Sequence, residues 1–256
     1  TDTVIFEHPT AHWLSVHAPP SLGWLVVEVT DGTTPIEVHA AQFEEALARG
    51  RSAFRTVVTG DDEVAFIGGT ADEIVYCSFA DQPDGEYFAI SPATLERRQL
   101  PLPEGPADVW RSVITQRFLL AAYHSGHDVR LAWTHLVDET SGEIEIPDGL
   151  WVRLIDPVEG TDRVRMRLVG HTSGERDVEL DMGTGKWQVL RDTLQLERTR
   201  PDRRVARSAD GTAVPLVVVR SPRDDGRTPR PTLLVGYGGY GADFLTYGFE
   251  EWHQAW

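Results

Sequence analysis

Leu180-Asp181-Met182-Gly183-Thr184-Gly185-Lys186-Trp187-Gln188-Val189-Leu190 reads as the end of an apolar strand, a small polar turn and a second apolar strand. The same order occurs twice upstream. Phe88-Ala89-Ile90 leads through Ser91 to Arg98 into Leu100, and Leu136 leads through Thr140-Ser141-Gly142 into Ile144 and Ile146. Ile90 to Leu136 is 46 residues and Leu136 to Leu180 is 44, while Val38, 52 residues before Ile90, marks an earlier copy. A period near that of a four-stranded propeller blade is the simplest account. One twisted four-stranded sheet cannot bury both of its faces alone, so each blade requires neighbours. A β-sandwich also spaces short strands regularly, and the repeat by itself leaves that alternative open.

Outside the repeat, short β-rich segments with turn residues between them run Trp13 to Ala18, Gly23 to Thr30, Pro35 to Ala41, Ala53 to Thr59, Val64 to Gly69, Glu73 to Phe79 and Glu86 to Ser91. Helical periodicity is nearly absent. Gln42 to Arg49 is the exception, with Phe43, Ala46 and Leu47 on one face, and reads as a short helix or loop insertion.

Composition agrees with a globular β-rich chain. At 256 residues and 41% hydrophobic content a substantial core is possible, and 16 prolines and 23 glycines spread along the chain imply many turns. Forty acidic against 24 basic residues give a formal charge of −16, a field that repels phosphate backbones and anionic headgroups, so nucleic acid and membrane surfaces are excluded as expected partners. The single cysteine, Cys77, sits in the apolar run Ile74-Val75-Tyr76-Cys77 and reads as a small buried hydrophobe. No apolar run reaches the length of a bilayer span, and Thr1-Asp2-Thr3-Val4 lacks the order of a secretory signal. The expectation is a soluble, cytoplasmic chain, although its abrupt start leaves room for an upstream targeting segment.

The texture changes near Asp192. Arg191 to Arg204 is charged and contains Pro201, as expected of a crossing between domains. A hairpin follows, Arg203 to Arg207 and Val214 to Arg220 around Ala209-Asp210-Gly211. After the polar loop Ser221 to Arg230, Thr232-Leu233-Leu234-Val235 reads as a buried strand of an α/β sheet, ending at Gly236-Tyr237-Gly238-Gly239-Tyr240-Gly241. From about Thr246 to Trp256 an amphipathic helix is expected to begin.

Asp210-Gly211-Thr212-Ala213-Val214-Pro215, a polar loop, and then Pro231 through Gly241 resemble the opening of the peptidase domain in the prolyl oligopeptidase family, which includes the oligopeptidase B branch. Val4-Ile5-Phe6-Glu7 followed by Trp13 is similar to a family propeller strand. Gly170-His171-Thr172-Ser173, Leu180-Asp181 and Gly185-Lys186-Trp187 are similar to its final blade. The resemblance is strong in the last fifth and loose before it. It implies a mainly β chain: a partial β-propeller of four-stranded antiparallel blades over residues 1–191, then the first strands of an α/β-hydrolase domain over 192–256. It further implies a serine-type peptidase that hydrolyses short peptides through an acyl-enzyme, after proline or after a basic residue. No cofactor and no metal are implied. By position, Tyr237 matches the tyrosine that donates to the oxyanion, and Tyr240 matches an aromatic wall of the pocket for the residue before the scissile bond. On the residues alone, Tyr237 reads first as a cap on the strand end, and Tyr240 can equally pack on the following helix.

The chain departs from the family in one respect. None of its eleven serines lies in a G-x-S-x-G elbow, so the nucleophile, and the acid and base expected beyond it, are not in these 256 residues. The expectation is a chain inactive alone, missing the remainder of the propeller and hydrolase domains, with its last fifty or so residues mobile or aggregation-prone in isolation. A non-catalytic propeller binding module and a pseudo-peptidase are the rivals. Elsewhere, His124-Ser125-Gly126-His127-Asp128 crowds catalytic residue types into one turn and reads as a polar turn between strands. His8 and His12 read as surface or packing residues, His171 as part of a blade turn, and Asp61-Asp62 and Asp224-Asp225 as solvated turns.

Overall fold

The computed structural model describes residues 3–11, 13–18, 22–31, 34–59, 64–102, 107–125, 128–147, 149–171, 174–193, 201–220, 224 and 227–236. Strand follows strand through four antiparallel sheets, each taking its four strands in chain order. The first contains β1 (Trp13–His17), β2 (Trp24–Asp31), β3 (Thr34–Gln42) and β4 (Arg55–Val58), with helix α1 (Phe43–Arg49) and a 3-10 turn (Gly50–Ala53) between β3 and β4. The second contains β5 (Val64–Gly69), β6 (Ile74–Ser78), β7 (Glu86–Ile90) and β8 (Arg97–Gln99). The third contains β9 (Ala107–Ile114), β10 (Phe118–Ser125), β11 (Asp128–His135) and β12 (Ser141–Ile144). The fourth contains β13 (Leu150–Val158), β14 (Arg163–Gly170), β15 (Gly174–Asp181) and β16 (Lys186–Asp192). A two-stranded hairpin, β17 (Asp202–Arg207) and β18 (Ala213–Val218), follows.

This is a partial β-propeller, and the sequence repeat marks one place in each blade. Val38 lies within β3, Ile90 at the end of β7, Leu136 just after β11 and Leu180 on β15, so each copy falls on or just after the third strand of a blade. The repeat recurs because the third strand of every blade must supply buried apolar residues, with a short turn to the fourth strand in the second, third and fourth sheets and α1 with the 3-10 turn in the first.

Two compact units divide the chain: Thr1–Tyr123 with Ala132–Glu143 and Pro157–Asp162, and His124–Leu131 with Ile144–Asp156 and Arg163–Trp256. In the first unit, β6 explains the packing. All five of its residues are buried, and alternation sends them to opposite faces. Ile74 and Tyr76 join Trp24, Val26 and Val38 of the first sheet in one core, while Val75 and Cys77 join Leu119, Ala121 and Ala132 of the third in another. A sheet sandwiched in this way needs apolar residues at consecutive positions, which is why Ile74-Val75-Tyr76-Cys77 shows no polar alternation. Glu28 bridges the first two sheets through one carboxylate: Oε2 lies 2.6 Å from His17 Nε2, and Oε1 accepts from the Phe66 N–H at 2.7 Å. The remaining face of the first sheet, including Leu25, Val27 and Ala41, is covered by Ala46 of α1, by Ala53 and Phe54, and by Ile5 and Phe6 of the N-terminal segment. Phe43 to Arg49 is therefore helical as the periodicity predicts, with Gln42 ending β3, and Ala46 is the residue the helix buries.

In the second unit, the fourth sheet is two-faced. Val164, Met166 and Leu168 of β14 are buried, and the intervening Arg163, Arg165 and Arg167 meet acids on β15. Arg165 stands opposite Glu179 and Arg167 opposite Asp177 in the ladder. The hairpin forms as read, with Gly211 at φ +88° and Asp210 accepting from the Thr212 N–H at 2.9 Å.

One expectation is corrected. Thr232 to Val235 is not a buried strand: no strand pairs with it among the described residues, and Leu233, Leu234 and Val235 are exposed, Leu234 by 83%. Apolar character does not make a strand without ladder partners on either side. The helix expected from about Thr246 to Trp256 lies outside the described residues. No helix among the described residues is long and apolar enough to cross a membrane.

Candidate functional site

The two tyrosines singled out from the sequence, Tyr237 and Tyr240, lie outside the described residues, as do Asp61, Asp62, His12 and Asp225. The chain is described up to Gly236, beside which an added Cβ would meet nothing within 4 Å. Of the stretch His124 to Asp128, His124 and Ser125 end β10 and Asp128 opens β11, adjacent strands of the third sheet, while Gly126 and His127 lie outside the described residues. His171 follows the end of β14 and packs edge-on against the fully buried Trp151, with ring centroids 5.1 Å apart. Asp224 accepts from Arg230 Nε at 3.3 Å, a surface pair that carries no chemistry.

A cluster the sequence reading missed forms on the first sheet. Glu37 and His39 lie two apart on β3, so alternation places both side chains on one face. His39 is 2% exposed, and its partner in the next strand is Thr56 of β4, whose Oγ1 lies 3.1 Å from His39 Nδ1. On the other side of the imidazole, Nε2 is 2.8 Å from Glu37 Oε2. The N-terminal segment supplies the third member. Phe6 packs on Phe54 and on the His39 ring, with centroids 4.9 Å and 5.2 Å away, and this anchorage brings His8 Nε2 to 3.5 Å from the same Glu37 oxygen. One donor atom from each of the three residues lies within 4.8 Å of the others.

The electrostatics of the cluster are mixed. Burial pushes the His39 imidazole below its ordinary pKa, Glu37 opposes this through its hydrogen bond and charge, and the nearby Arg51 and His8 add to the lowering. Both ring nitrogens are engaged, Nδ1 with the Thr56 hydroxyl and Nε2 with the Glu37 carboxylate. Arg51 stacks over Phe6 at 4.7 Å and, with Ile5, His8 and Leu14, lines an open groove of about 690 Å³. A pattern of Glu-x-His on a strand was legible in the sequence. That His8, 29 residues earlier, would reach it was not, because an irregular segment has no period to read.

No family model matches the chain. No curated protein matches it significantly. Solved structures do. The chain is similar to the prolyl oligopeptidase B of Galerina marginata, with 14% identity and a TM-score of 0.63 over 82% of this chain and 31% of that one. It is similar to a prolyl endopeptidase at 16% identity and a TM-score of 0.65, over 79% of this chain and 30% of that one. A puromycin hydrolase complexed with PGG matches at 18% identity and a TM-score of 0.59, over 79% and 33%. These likenesses establish the fold, and the chain spans about a third of the length of the structures it matches.

Proposed function

We propose that this chain is the later propeller blades and the opening hydrolase strands of a prolyl oligopeptidase-type serine peptidase, cytoplasmic in location, that hydrolyses short peptides after proline. A fold likeness to such peptidases over about four-fifths of the chain carries this reading. The Gly236-Tyr237-Gly238-Gly239-Tyr240-Gly241 motif after an apolar run supports it. Residues 1–191 are assigned to the propeller and 192–256 to the hydrolase domain. In the parent enzyme a serine attacks the peptide carbonyl, a histidine takes and returns the proton, and an aspartate orients the histidine. Tyr237 donates a hydrogen bond from its hydroxyl to the developing oxyanion, and Tyr240 forms a wall of the pocket for the residue before the scissile bond. Cleavage after a basic residue is the variant expected of the oligopeptidase B branch.

With no G-x-S-x-G among these 256 residues, the chain by itself is inactive. The second reading is a non-catalytic binding module or pseudo-peptidase built on the propeller. Sequencing the gene beyond the Trp256 codon and assaying its full product on a proline-containing chromogenic peptide separates the two. The peptidase reading expects a downstream serine elbow and turnover that falls about 10²–10³-fold in kcat on Tyr237→Phe. A stop codon at that point, or full activity in the Tyr237→Phe protein, overturns it.

A further inference from the structure

We propose that His8, Glu37 and His39 form a binding site for a borderline divalent cation of the zinc class, which pins the N-terminal segment to strand β3. Two imidazoles and one carboxylate are the donor set such ions prefer, and three protein ligands leave one position for water. Nitrogen and oxygen ligands at about 2.0–2.1 Å in a tetrahedron lie about 3.3 Å from one another. The two pairs that share Glu37 Oε2 stand at 3.5 Å for His8 and 2.8 Å for His39, and all three donors lie within 4.8 Å, so small side-chain rotations complete the site.

His39 is already positioned for coordination. A metal-bound imidazole donates its other N–H to a fixed oxygen, and Thr56 Oγ1, 3.1 Å from Nδ1, is that oxygen. A hydroxyl accepts as readily as it donates, so the tautomer with Nε2 free is accessible. Burial of His39 and its packing against Phe6 hold the ring in place before any ion arrives. His8 has one bond to give up: its Nδ1 accepts a long 3.4 Å contact from the Thr10 N–H, which is lost when ligation through Nε2 places the ring proton on Nδ1. His8 also lines the open groove with Arg51, whose guanidinium favours water or a small anion as the exchangeable fourth ligand. The site stands on the first sheet and does not depend on the peptidase reading.

The test is zinc titration of the untagged 256-residue chain by calorimetry, with cobalt as a spectroscopic probe. One ion binding with Kd below about 100 μM, visible bands of four-coordinate cobalt and a raised Tm with zinc are expected. His8→Ala and Glu37→Gln should each weaken binding at least about tenfold and abolish the zinc-dependent rise in Tm. Neither residue lies in the buried core, and both variants should keep the wild-type circular dichroism without metal. His135→Gln, on the third sheet, should bind as the wild type does. The chain carries nine histidines, so the variants decide. Absence of binding, or binding that His8→Ala and Glu37→Gln leave unchanged, overturns the proposal.

Discussion

Arg98 grips Glu73 through two parallel hydrogen bonds, from Nε to Oε1 at 2.9 Å and from Nη2 to Oε2 at 2.6 Å. The same guanidinium donates to the Leu136 carbonyl at 2.7 Å and to Glu139 at 2.9 Å, so one side chain ties the second sheet to the turn after β11. Glu73 and Glu139 together hold its pKa above the ordinary arginine value, Glu73 contributing most. Arg98→Ala leaves a part-buried carboxylate and a carbonyl without their donor and should cost about 1–3 kcal/mol in urea unfolding. Glu139→Gln, at the exposed end of the network, should cost less than about 1 kcal/mol. Equal costs for the two would mean that Arg98 acts only as a surface charge.

Gly85 closes the turn between β6 and β7 at φ +81°, and an added Cβ would stand 2.7 Å from Cys77 Sγ and 2.8 Å from Phe79 Cε1. Gly85→Ala therefore meets both a disfavoured backbone and a packed wall, and should cost about 2–4 kcal/mol. Gly160, at φ +69° with nothing within 4 Å, isolates the backbone part, and its alanine variant should cost about 1–2 kcal/mol. Thermal unfolding of the pair distinguishes the two contributions.

Burial, helped by the charge of Glu86, pushes the Cys77 thiol from 9.0 up to about 12. A thiol-specific reagent at pH 8 should leave the folded chain unlabelled and label it only as it unfolds. Above pH 9 the unfolded chain loses the thiol proton while the folded chain keeps it. Stability should therefore fall as pH rises from 9 toward 12, and Cys77→Ala should remove that part of the fall. Rapid labelling of the native protein would contradict the buried placement.

Asp177 accepts from Arg167 Nε at 2.7 Å and from Arg191 Nε at 2.9 Å across three strands of the fourth sheet. Its carboxyl is held below the ordinary 3.8, by the Arg167 bond first and then, against some desolvation, by Arg191. A depressed folded pKa stabilises the fold above 3.8, and this contribution is lost as pH falls through the lower folded value. Acid unfolding of Asp177→Asn should show a shallower loss in that window, with the difference narrowing at high salt. A difference indifferent to salt would assign the effect to packing.

Much of the fold was legible because its period is in the residues themselves. Alternating strands, the turn glycines and a recurrence near every 45 residues point to four-stranded blades, although a β-sandwich shares that spacing, and the helical spacing of Phe43, Ala46 and Leu47 points to α1. Cys77 could be assigned to the core for the same reason: Ile74-Val75-Tyr76-Cys77 has no polar face to offer water.

What the residues could not decide depends on partners distant in the chain. Thr232 to Val235 has the composition of a buried strand, yet strand identity lies in hydrogen bonds to other segments, and among the described residues it has none. The meeting of His8 with Glu37 and His39 has the same origin. Period two aligns Glu37 with His39, but only the seating of Phe6 on Phe54 and His39 carries His8 to them, and side-chain packing between segments leaves no period in the sequence to read.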